Sequence, residues 1–167
     1  MFNLTGLDII KVTIISGIAV WCFIESWGVI KDYLGAKRLV SKVMNMELIQ
    51  EPPMVPTKLL HRRVSNEILH HISTVTLIFF NATASLILFL ALYNFVFGDV
   101  SISLKRLEFI ELANYGLSVF ITMGFLLSSG GVWFAYYIKH FELMITHFLL
   151  IILGISSSII INFPTVY

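Results

Sequence analysis

The stretch ISTVTLIFFNATASLILFLALYNFVF, residues 72–97, contains no Asp, Glu, Lys or Arg. A bilayer core about 30 Å thick is crossed by roughly 20 apolar residues in helical form. The run therefore reads as a membrane-spanning helix. A barrel strand would alternate apolar and polar residues, whereas a helix pairs its own backbone groups in lipid. Three further stretches meet the same standard. VTIISGIAVWCFIESWGVI at 12–30 is interrupted only by Glu25, a third stretch covers 109–132 with Glu111 near its start, and LMITHFLLIILGISSSIII at 143–161 is uncharged. The sequence predicts an all-α membrane protein, a four-transmembrane-helix bundle in one integral membrane domain. The first stretch is too long for the apolar part of a signal peptide and is followed by Lys31, Asp32 and Tyr33 with no small-x-small site, so it is expected to be retained.

Composition agrees. Of the 167 residues, 57% are apolar and 13% charged, and the mean hydropathy is +0.89. Soluble domains carry about 25% charged residues, and a soluble fold of this size could not hide so much apolar surface. A disordered chain, a disulfide scaffold and almost any soluble enzyme are excluded. The net charge of +1 gives no basis for nucleic-acid binding, and the single cysteine, Cys22, lies within an apolar stretch. No phosphate loop, nucleophile elbow, metalloprotease motif or lipidation signal is present.

Basic residues set the expected orientation. Lys31, Lys37, Arg38, Lys42, Lys58, Arg62 and Arg63 lie between the first two spans and Lys139 lies on the same side, against Lys11, Lys105 and Arg106 opposite. Cytoplasmic loops are enriched in Lys and Arg. The first loop is thus expected on the cytoplasmic or matrix side of a bacterial or mitochondrial inner membrane, with both termini on the other side.

Within that loop Ala36, Leu39, Val40, Val43 and Met46 recur at helical spacing, while Lys37, Arg38, Ser41, Lys42 and Asn45 take the other face. This pattern predicts an amphipathic helix over 35–49, lying on the membrane surface or against a partner. Lys37, Arg38, Leu39, Val43 and Met46 are its expected contact residues, joined by Arg62 and Arg63 at the re-entry point. Pro52, Pro53 and Pro56 end the helix, and Ser65 is the expected cap of the second span. Gly130 and Gly131 are expected to end the third, with Trp133, Phe134, Tyr136 and Tyr137 as an interfacial belt.

Among five histidines, His71 and His147 are the best-placed pair for haem b, since neutral imidazole suits iron in apolar surroundings. His61, His70 and His140 read as boundary rings. Glu25 and Glu111, the acidic residues nearest the hydrocarbon, lie toward opposite faces and read as boundary ion pairs, with Lys31 and with Lys105 or Arg106 respectively. Glu25, Asn81, Glu111 and Asn114 form the expected intramembrane polar packing set, alongside small and hydroxylated residues such as Ser85, Ser118 and Ser157.

Asp32-Tyr33, LVSKVMNMEL at 39–48, HRRVSNEILHH at 61–71 and GFLLSSGGVWFAYY at 124–137 occur in this order. The combination resembles a bacterial family of uncharacterised small integral membrane proteins of about 160 residues. The resemblance spans nearly the whole chain and implies four helices, without an established activity. It also implies a glutamate where this chain has Asn81, and an acidic residue where it has Val132. Both departures remove a proton acceptor and suit packing.

These readings lead to a non-catalytic accessory subunit that packs against and stabilises a larger membrane complex, such as a respiratory assembly. Other integral membrane subunits and lipids are the expected partners, bound phospholipid included. The alternatives are a haem b or quinone redox anchor using His71 and His147, and an oligomeric small-solute transporter.

Overall fold

The computed structural model describes residues 5–98 and 103–164, and among these there is no β-strand. Six α-helices follow one another: α1 (Gly6–Lys31), α2 (Tyr33–Met44), the single turn α3 (Glu47–Gln50), α4 (Glu67–Phe97), α5 (Ser103–Trp133) and α6 (Phe141–Asn162). Four of them, α1, α4, α5 and α6, are long and apolar enough to cross a membrane. Large apolar side chains stand outward along all four, from Phe23 and Trp27 on α1 to Ile152 and Ile159 on α6. An aqueous solvent would not tolerate such a surface, but a bilayer matches it.

Two spans, α1 and α4, begin ahead of their apolar stretches because polar residues cap them. Thr5 accepts from the backbone N–H of Asp8 (3.3 Å) and its own N–H donates to the Asp8 carboxylate (3.0 Å), a reciprocal box that starts α1 before its apolar run. Asn66, one residue after the expected Ser65, caps α4 by accepting from the N–H of Ile68 (2.9 Å). Gly130 and Gly131 do not end α5. The helix continues to Trp133 and the chain turns at Ala135, which takes a left-handed conformation (φ 53°).

The bundle is ordered α1–α4–α5–α6: each span packs extensively on the next, most of all α4 on α5, whereas α1 and α6 touch only lightly. Ile15, Ala19 and Cys22 meet Ala84, Leu88 and Ala91 in its core, together with Ala113, Leu117 and Phe120. Small residues allow the close approach. A Cβ at Gly116 would lie 2.5 Å from Leu88, and one at Gly154 would lie 2.5 Å from Ile121.

The first loop folds back on the bundle. The expected helix over 35–49 is two pieces, because Asp32 caps α2 through the N–H of Gly35 (3.1 Å) and Met46 breaks it at φ 56°. Met46, expected as a surface contact, is 1% exposed: with Ile49 and Ala135 it forms a second apolar cluster, flanked by Val55, Leu59, Leu60 and Phe134. The left-handed turn reverses the chain and carries Met46 inward, away from the exposed face of α2. Lys139 donates to the Glu51 carbonyl, and the Arg62 guanidinium lies over the Trp133 ring (5.4 Å), so the two connections on this side of the bundle are tied together.

Candidate functional site

The bundle differs at its two ends. Where α1 begins and α6 finishes, Lys11 Nζ donates to the Phe163 carbonyl (2.6 Å). Beside it Asn114 accepts from Ser158 (2.9 Å) and from Asn162 (3.0 Å). At the loop end α4 and α6 have scarcely any contact with one another, and between them lies a cavity of about 440 Å³. Leu39, Val40, Val43 and Met44 of α2 form one wall, and Met123, Leu127 and Gly130 of α5 another. Its polar groups are Ser73, Thr76, Tyr136 and His147.

Three histidines are held here by hydroxyl groups. His70, fully buried, faces the Ser41 hydroxyl through Nδ1 (3.0 Å) and the Val64 carbonyl through Nε2 (2.7 Å). The carbonyl can only accept, so the ring proton lies on Nε2 and Ser41 donates to Nδ1. His71, one position on, projects from another face of α4 and meets the Tyr33 hydroxyl (2.8 Å). His147 meets the Tyr136 hydroxyl through Nδ1. Burial pushes the Tyr136 phenol up to about 12, so it stays protonated, and its O–H meets no other acceptor among the described residues, so it donates to His147 Nδ1. The His147 proton is then on Nε2, which has no partner among the described residues.

His71 and His147, the pair expected for haem, line different hollows. His71 lies in a separate hollow with Tyr33, Val75 and Phe79, and Ile72, Thr76 and Phe80 form the wall common to both spaces. No group of three His, Cys, Asp or Glu side chains is arranged to hold a metal among the described residues.

A family model described as predicted small integral membrane protein (DUF2165) matches residues 7–164. The chain belongs to this family. Together with the four apolar helices, membership makes it a multi-pass integral membrane protein. No curated protein and no solved structure matches it.

The other expected contact residues of this DUF2165 member divide by exposure. Lys37 pairs with Glu67 across α2 and α4, Arg38 and Arg63 are exposed, Leu39 stands at the cavity rim, and Val43 lines the cavity. Trp133 and Tyr137 are exposed, but Tyr136 is only 5% exposed and belongs to no surface belt. A Cβ at Gly131 would lie 2.7 Å from the Tyr136 ring, so this glycine provides the space into which the tyrosine folds. Asn81 is buried and donates to the Leu77 carbonyl (3.2 Å).

Neither expected boundary ion pair forms among the described residues. Lys31 lies over the Trp27 ring (4.8 Å), since a spacing of six residues puts it on a different face from Glu25. Lys105 pairs with Glu108 (2.8 Å), three residues away. Glu25 and Glu111 are both exposed. The sequence reading missed Asp8 and Lys11, both buried within α1, although Thr5-x-x-Asp8 is a capping signal visible in the sequence.

Proposed function

We propose that the chain is a non-catalytic accessory subunit that packs against the membrane-spanning helices of a larger complex. Glu25 carries this reading. It lies on the exposed face of α1, about 9 Å along the helix from Lys31 at 1.5 Å per residue. No cation pairs with it among the described residues. An ionisable side chain facing lipid is costly, and a partner helix offering a basic group or hydrogen-bond donor removes that cost. Gly17 and Gly28 lie on the same side of α1, and an added Cβ at either would meet nothing within 4 Å, so a second helix can approach closely.

The first loop adds to this face. On α2, Leu34 and Leu39 are exposed beside Arg38. The helix is read as lying along the membrane surface, its apolar side chains toward lipid or the partner and its basic ones toward headgroups. The excess of Lys and Arg on this side favours the cytoplasm or the mitochondrial matrix. The test is to purify the tagged chain from its native membranes in mild detergent and identify what accompanies it. Stoichiometric recovery with other integral membrane proteins is expected, and Glu25→Leu should reduce it. Recovery of the chain alone as a monomer would contradict the reading.

A further inference from the structure

We propose that the loop-end cavity binds one lipid whose head carries a carbonyl oxygen, with its tail along the apolar walls and the carbonyl accepting from His147 Nε2–H. This site is separate from the Glu25 face and does not depend on the accessory role.

Shape comes first. Ligand pockets of about 300–1,000 Å³ are lined mainly by apolar side chains with a few polar groups that fix orientation. A cavity of about 440 Å³ with Tyr136 and His147 among apolar walls has this form. It lies between α4 and α6, two membrane-spanning helices with scarcely any mutual contact, so its occupant can enter from the lipid side.

The hydrogen-bond inventory selects the head. With Nδ1 occupied by Tyr136, His147 offers one donor, so the ligand has to supply an acceptor. No Lys or Arg lines the cavity among the described residues, which gives a phosphate head no counter-charge. A carbonyl on an apolar tail satisfies both conditions. It could come from an isoprenoid quinone or from a fatty acyl lipid. The α2 wall is fastened for such a task, since Ser41–His70, Tyr33–His71 and Lys37–Glu67 fix α2 to α4 beside the cavity.

Gly130 provides the sharpest test, because it lines the cavity and an added Cβ there would meet nothing within 4 Å. A leucine at this position reaches into the space without displacing backbone. Decylubiquinone and methyl palmitate are titrated separately into the purified full chain, with helical content and melting temperature as folding controls. Saturable binding of at least one probe is expected. Gly130→Leu should weaken it more than tenfold and His147→Ala about fivefold, the equivalent of one hydrogen bond. Tyr136→Phe should weaken it less, because His147 keeps a donor without its tyrosine. Binding of decylubiquinone alone identifies a quinone, binding of methyl palmitate alone an acyl lipid, and binding of both the shared carbonyl. Failure of both probes to saturate, or equal affinity in folded Gly130→Leu and wild type, would overturn the proposal.

Discussion

The two ends of the same four-helix bundle are closed by different means. Where α1 begins, side chains on the spans themselves make the closure: Lys11 reaches the Phe163 carbonyl from α1, and Asn114 on α5 joins Ser158 and Asn162 on α6. At the loop end no such bond joins α4 to α6 among the described residues. The closure there comes from α2 and the turn carrying Tyr136, and a cavity remains behind them. At the first end the spans hold one another directly. An end covered by a loop can hold an occupant and present an outer face to a partner.

This contrast can be broken by substitution. The largest effect is expected at the packed middle that both ends share. Gly116→Leu drives a side chain into Leu88, and overpacking of this kind costs about 3 kcal/mol, measurable by unfolding in mixed micelles. Next is the closed end, where Lys11→Met removes a buried charge-assisted hydrogen bond. A loss of about 2 kcal/mol is expected, and amide exchange should rise first around Phe163. At the loop end, Ser41→Ala leaves His70 Nδ1 without its donor. It should cost about 1 kcal/mol, with the faster exchange confined to α2. Tyr33→Phe, which removes an exposed bond to His71, should cost about 0.5 kcal/mol by the same measurement. Equal effects of Lys11→Met and Ser41→Ala on both ends would mean that the two ends open as one unit.

The four spans were legible because a long apolar run with at most one charge has few readings other than a membrane helix. Their ends were less so. Asp8 and Lys11 interrupt hydropathy and read as lying outside the first span, yet the Thr5 box draws both into α1 and tertiary packing buries them. The break at Met46 was invisible because the apolar spacing continues through it, and a left-handed residue leaves no mark on periodicity. Gly130 and Gly131 read as a stop signal but serve space: one borders the cavity, and the other admits Tyr136. His70 and His71 are adjacent in the chain, but one step of about 100° around the helix sends the first into the α2–α4 interface and the second into a hollow beside Tyr33. Spacing alone could not assign those roles, because they depend on where α2 folds back.

The accessory role is tested most directly by a photo-crosslinking side chain placed at position 25 in native membranes, with position 79 on α4 as a control. Phe79 is also exposed but apolar, and gives a partner no polar group to recognise. A discrete adduct with one integral membrane protein at position 25, and only lipid adducts at position 79, is the predicted result. Lipid adducts alone at both positions would contradict the account.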